Sequence, residues 1–157
     1  MKAKIEVVIQ SDPCQKILND LVANLYTLYT KLWNFHVNYT WQDFVEKHSL
    51  LWDYKDTVGW QIDTLAEELR KRWFTSTFSM SEFLNGTRIA EATGWQLCTI
   101  ECFPEVLWDF DKLALALDKC SDICWQNGSL DTQQVLLDIK LSHNKIRWFL
   151  RSILWQK

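Results

Sequence analysis

Glycine and proline are scarce in this chain, with 4 Gly and 2 Pro among 157 residues. Because these residues form most tight turns and interrupt helices, their scarcity predicts few turns and long secondary-structure elements. We therefore expect an all-α fold in one domain, long enough to bury roughly 70% of the surface of its unfolded chain.

Three further absences exclude classes of function. No run of 18 apolar residues occurs, so we expect no membrane-spanning segment. The net charge is −3 and no basic block is present, which does not support DNA binding through phosphate contacts. Because the 5 cysteines are an odd number and no secretory leader is recognised, we expect a cytoplasmic protein.

Tryptophan, in contrast, is abundant, with 10 residues. Tryptophan side chains bury large apolar areas, and this number exceeds what one small core readily hides. The excess indicates contacts between subunits.

The spacing of apolar residues predicts four long helices, over about 13–38, 41–72, 103–126 and 130–155. Residues 1–12 are expected to form an extended arm, with Ser11 or Asp12 capping the first helix. Within the connection between the second and third long helices, Ser79-Met-Ser-Glu82 resembles a capping box and predicts a short extra helix that ends at Asn85-Gly86.

The start of the second long helix carries a weaker signal. Thr40 and Asp43 resemble a capping box in which Asp replaces the usual Glu or Gln. Within this helix we expect Phe44, His48 and Trp52 to face the core. The short link to the first helix predicts two antiparallel neighbours, which brings His36 close to His48.

Four side chains suggest a metal site. His36 and His48 are twelve residues apart, and Asp63 and Glu67 are four apart, on one face of a predicted helix. Imidazole nitrogens with carboxylate oxygens suit iron, manganese or zinc.

Their spacing limits how one metal ion could be shared. If His48 and Asp63 lie on one continuous helix, about 22 Å of helix axis separates them, whereas a metal–ligand bond is about 2 Å long. Either these are separate features, or the histidines of one copy meet the carboxylates of a second copy across a two-fold axis.

Two Cys-x-x-x-Cys pairs, Cys98/Cys102 and Cys120/Cys124, are a second candidate for metal binding. If the intervening chain is helical, about 27 Å separates Cys102 from Cys120, so the pairs cannot share zinc within one subunit. We expect inert buried thiols instead. His143 has no carboxylate at helical spacing, and we expect a structural role for it.

Several stretches together resemble the Dps family of mini-ferritins. They are LVANLYTLYTKLWNFH (21–36), the second histidine His48, the Asp63–Glu67 pair, SMSEFL (79–84) and HNKIRWFL (143–150). The resemblance covers nearly the whole chain.

This resemblance implies a ferritin-like four-helix bundle that assembles into a hollow dodecamer. It also implies that ferrous iron is oxidised by hydrogen peroxide at two-fold interfaces and stored as ferric mineral, which protects against oxidative stress. His36 and His48 would be iron ligands from one subunit. Asp63 and Glu67 would be ligands from the other, with Glu67 bridging.

The chain departs from the family pattern at the second helix. The family usually has a carboxylate four residues after the second histidine, where this chain has Trp52. Asp53 is adjacent but is turned by about 100° around the helix axis, so its use as a ligand is doubtful. We therefore expect weakened or altered iron oxidation, with iron binding limited to a single ion.

Other interpretations stay open at this point. A shell-forming protective protein that has lost ferroxidase activity is one, and a generic helical adaptor is another. Asp118, Asp122 and Asp131 flank the turn between the last two helices and are candidates for an acidic ion-entry pore. A solvated helix end is the simpler explanation of these three aspartates.

Overall fold

The structure, a computed structural model, describes residues 12–92 and 100–155. In these ranges the chain forms α1 (Pro13–Asn38), α2 (Phe44–Lys71), α3 (Met80–Gly86), α4 (Cys102–Gln126) and α5 (Leu130–Leu154). The predicted all-α fold class is confirmed. The predicted arm lies outside the described residues except for Asp12. None of the helices in these ranges combines the length and hydropathy that crossing a bilayer requires.

The four long helices form a bundle of two hairpins. A short connection joins α1 to α2 and another joins α4 to α5, and the helices of each hairpin pack along one another. Contacts between α1 and α4 join the hairpins, and α3 packs on α1 within the long connection from α2 to α4. On α1 the apolar residues spaced three and four apart form a buried stripe, which consists of Cys14, Leu18, Leu21, Leu25, Leu28, Leu32 and Phe35.

Local signals explain most helix ends. The Asp12 carboxylate accepts a hydrogen bond from the Cys14 N–H at 2.7 Å and caps α1. The capping box between Ser79 and Glu82 is present at the start of α3, as predicted. Gly128 ends α4 with a φ of 71°, in the left-handed region that glycine enters without steric cost.

The start of α2 differs from the prediction. The helix begins at Phe44 rather than near residue 41, and the side chain of Asp43, which precedes the first helical residue, makes no capping hydrogen bond. Instead, its carboxylate accepts a hydrogen bond from the buried Tyr39 hydroxyl at 2.7 Å. The predicted Thr40–Asp43 capping box is therefore wrong, because Asp43 bonds to the end of α1.

The inward face of α2 was also assigned wrongly at two positions. Phe44 is 43% exposed and Trp52 is 45% exposed. The buried stripe runs through Leu51, Tyr54 and Val58. Phe44 lies two turns before Leu51 on the same face but is the first residue of the helix, whereas Trp52 is turned by about 100° from Leu51. Apolar residues occur on both sides of α2, so their pattern alone does not distinguish the core face from a second apolar face.

The cysteines follow the expectation only in part. Cys120 and Cys124 are free and buried, and burial raises the pKa of both thiols to about 12, so neither is a thiolate at neutral pH. Cys102, in contrast, is disulfide-bonded, so the prediction of an inert thiol is wrong there. Cys98 lies outside the described residues.

Candidate metal centre

His36 and His48 lie face to face where α1 meets α2. His36 is near the end of α1 and His48 is in the second turn of α2, and the short connection folds one helix back on the other. Their rings stack with centroids 3.7 Å apart and an interplanar angle of 27°. The predicted proximity of the two histidines is therefore confirmed.

Two reciprocal hydrogen bonds hold the pair. Nδ1 of His36 lies 2.8 Å from the carbonyl oxygen of His48, and Nδ1 of His48 lies 2.7 Å from the carbonyl oxygen of His36. A carbonyl oxygen can only accept, so each Nδ1 carries the proton and donates it. In neutral imidazoles this leaves the lone pair on Nε2, the arrangement typical of histidines that bind metal.

Aromatic side chains surround the histidine pair. Phe44 stacks on His48 with centroids 4.8 Å apart, and Trp52 lies against His36 with centroids 5.2 Å apart. His36 is 9% exposed, and His48 is half-buried. The half-exposed rings of Phe44 and Trp52 thus form an apolar rim around two nitrogen donors.

The two carboxylates lie elsewhere on the same helix. Asp63 and Glu67 are exposed on α2, and within the described residues neither carboxylate has a hydrogen-bond or ion-pair partner. Because α2 is continuous, about 22 Å of helix axis separates His48 from Asp63. One protomer therefore does not bring the two pairs together, and residues 12–92 and 100–155 contain no cluster of three or more ligand residues that could hold a metal ion.

Trp52 lies one turn after His48, where the resemblance to the Dps family predicts a carboxylate ligand. Asp53 is exposed, and its carboxylate has no hydrogen bond or ion pair among the described residues. Its use as a ligand stays a doubtful prediction. The nitrogen donors fit a divalent cation, and of the four predicted ligands only the two histidines lie together within one protomer.

Sequence reasoning missed a buried lysine beside this site. Lys55 is 5% exposed, and its Nζ lies 3.3 Å from the ring centroid of Trp52, 5.3 Å from that of Trp33 and 5.5 Å from that of Tyr29. We call these three rings and Lys55 the lysine cage. The only signal in the sequence is that Lys55 lies seven residues, two turns, after His48.

The predicted pore residues are spread around the α4–α5 turn. Asp118 forms an ion pair with Lys140, whereas Asp122 and Asp131 are exposed. The ion pair ties α4 to α5, which gives Asp118 a structural explanation within one protomer. An ion-entry role for the three aspartates stays a prediction.

His143 belongs to α5 and lies in the core, against α2 and α4. It is fully buried, its Nε2–H donates to Gln61 Oε1 at 2.7 Å, and the Phe110 ring packs edge-on at 4.9 Å. This environment agrees with the structural role predicted for His143.

Comparisons with known proteins give consistent results. Residues 15–157 match the ferritin family, described as a ferritin-like domain. Antigen TpF1 of Treponema pallidum (strain Nichols) is 30% identical over 137 residues, 87% of this chain and 77% of that protein. The DNA protection during starvation protein of Brevibacillus brevis is 30% identical over 138 residues, 88% of this chain and 92% of that protein.

A solved structure extends the similarity to three dimensions. The crystal structure of a Dps protein from Bacillus brevis superposes with a TM-score of 0.85 at 29% sequence identity. The match covers 90% of this chain and 94% of that chain.

Proposed function

Because this chain belongs to the Dps family of ferritin-like proteins, we propose that it binds ferrous iron, oxidises it with hydrogen peroxide and stores ferric iron in a hollow shell. Family membership supports an iron-binding function in general. The observation that carries the proposal is the His36–His48 pair, whose Nδ1 atoms are both engaged by carbonyl oxygens so that both Nε2 atoms are free to bind iron.

The second half of the site comes from another copy of the chain. The exposed carboxylates of Asp63 and Glu67 form no hydrogen bond or ion pair within residues 12–92 and 100–155, and the length of α2 keeps them from their own histidines. In a two-fold contact each protomer gives its histidines to one site and its carboxylates to the other, so two equivalent sites form. The proposed assembly is a dodecamer with these sites at its two-fold interfaces.

The ligand types suit the proposed reaction. Carboxylate oxygens stabilise the higher charge of ferric iron, and imidazole binds both oxidation states. Two ferrous ions each give one electron to hydrogen peroxide, which takes up two protons and leaves as two water molecules. The reaction consumes both reagents, which supports a protective role during oxidative stress.

Peroxide consumption by the purified shell tests this function. We expect ferrous iron to accelerate it, and His36→Ala or Asp63→Ala to reduce the iron-dependent rate by about tenfold or more, since each removes a proposed ligand. Asp56→Ala is the matched control, because Asp56 is an exposed carboxylate on the same helix. If both ligand variants keep the wild-type rate, the assigned site is wrong.

One observation favours a second candidate function. Trp52 occupies the position where the family usually has a carboxylate, and its ring packs on His36. The loss of this ligand is what we would expect in a shell-forming protein that no longer oxidises iron. Anaerobic titration with ferrous iron separates the two. Stoichiometric binding that His36→Ala abolishes supports the iron site, whereas an assembled shell that binds no iron supports the structural role.

A further inference from the structure

Lys55 is a buried residue whose ammonium forms no ion pair in the described part of the chain. It is 5% exposed, and within the described residues its ammonium has no hydrogen bond or ion pair, only the faces of Trp52, Trp33 and Tyr29. Aromatic faces attract a cation through their quadrupole, most strongly for tryptophan. The lysine cage therefore holds a positive charge in place without neutralising it.

This charge lies close to the histidine pair. Trp52 touches both groups, with its ring centroid 3.3 Å from Lys55 Nζ and 5.2 Å from the His36 ring centroid. These two contacts limit the separation between the ammonium and the His36 ring to about 8.5 Å, a range over which charges in a partly buried site interact strongly.

Residues 52–55 affect the site in two ways, one through its ligands and one through its charge. Trp52, one turn after His48, provides no donor atom, and Lys55, a further turn along, adds a positive charge. We propose that Lys55, held against Trp52, replaces the charge of a second metal ion, so that each site binds one divalent cation rather than two. This inference rests on the proposed function.

Charge complementarity supports this assignment. Lys55 forms no ion pair with the described residues, and neither do the exposed carboxylates of Asp63 and Glu67. The two-fold contact proposed above brings the carboxylates of one copy to the histidines of the other, beside the lysine cage. Lys55 then partly neutralises them when the site is empty and repels a second cation when one ion is bound.

Counting bound cobalt(II) ions tests the inference without using catalysis. The assembled shell is titrated with cobalt(II) by calorimetry, and bound metal is measured after dialysis. The variants are Lys55→Met, which keeps the length of the side chain, Lys55→Arg, which keeps the charge, and Trp52→Asp combined with Lys55→Met. Lys16→Met is the control, since Lys16 is an 80% exposed lysine on α1. Circular dichroism verifies that each variant keeps its helix content.

The wild type is expected to bind one cobalt(II) ion per subunit. Lys55→Met binds one ion about tenfold more tightly because the repulsion is removed, and the double variant binds two. Lys55→Arg and Lys16→Met behave like the wild type. Equal affinity in Lys55→Met and the wild type, or a single ion in the double variant, overturns the inference.

The result for His36→Ala separates this inference from the proposed function. If the wild type binds one ion that His36→Ala abolishes, yet the Lys55 variants match the wild type, only the role of Lys55 is wrong. If the wild type and all its variants bind no cobalt(II), the proposed metal site fails, and the inference fails with it.

Discussion

Replacing His143 with glutamine should make the stability of the protein less sensitive to acid. The imidazole is fully buried, with its Nε2–H donated to Gln61 at 2.7 Å. Its Nδ1 is also buried and has no partner within the described residues. A proton added to Nδ1 would have no acceptor, and burial, helped by the charge of Arg147, lowers the pKa of His143 to about 3.

The sign and size of the effect follow from proton linkage. The pKa of the imidazole is about 6.5 in the unfolded chain and about 3 in the native state. Between these two pH values the unfolded state therefore binds a proton at His143 that the native state does not bind. The free energy of unfolding therefore falls by about 1.4 kcal/mol per pH unit below pH 6.5. Between pH 7.5 and pH 5.0 the loss due to His143 is about 2 kcal/mol.

Guanidinium unfolding followed by circular dichroism measures this loss. Unfolding curves for the wild type and His143→Gln are compared at pH 7.5 and pH 5.0, and other titrating groups contribute equally to both proteins. We expect the wild type to lose about 2 kcal/mol more than the variant over this interval, whatever their difference at pH 7.5. Equal losses in the two proteins would refute the assignment of His143 as a buried neutral base.

Two further substitutions test the packing of the bundle. Lys31 is 1% exposed and lies 2.6 Å from the carboxylate of Asp109, also 1% exposed, so Lys31→Met should cost about 3 kcal/mol in guanidinium unfolding. Combining it with Asp109→Leu should recover most of that loss, and a double variant no more stable than Lys31→Met contradicts this account. Ser79→Ala removes the cap of α3 and should cost about 1 kcal/mol locally, seen as faster amide hydrogen exchange in α3 with exchange in α1 unchanged.

The sequence predicts the helices well where local and tertiary preferences agree. At α1, the Asp12 cap, the Pro13 start and the apolar stripe all specify one helix, and its observed bounds match the predicted range of 13–38. At the start of α2 the local and tertiary preferences disagree, because the Asp43 carboxylate bonds to Tyr39 across the connection rather than to the backbone of its own helix. Such a contact depends on the folded hairpin and has no signature in local spacing.

The site divides in a similar way. The closeness of His36 and His48 follows from a short link between two long helices, which sequence periodicity reveals. Sequence periodicity does not reveal the lysine cage, because Tyr29 and Trp33 lie on α1 whereas Trp52 and Lys55 lie on α2. Only the register between the two helices determines which aromatic rings surround Lys55.

The separation of the histidines from the carboxylates was also predictable, since it depends only on the length of one helix. The proposed contact with a second copy has no such signature along the chain. That contact depends on how two apolar faces pack, and the exposed rings of Phe44 and Trp52 beside the histidines are consistent with such packing.

Anomalous diffraction from crystals of the shell soaked anaerobically in ferrous iron tests the central claim most directly. We expect one peak per site, in contact with Nε2 of His36 and His48 and with Asp63 and Glu67 of the partner subunit. A peak bound only by residues of a single protomer, or crystals in which the partner subunit's Asp63 lies far from the histidine pair, would contradict the account.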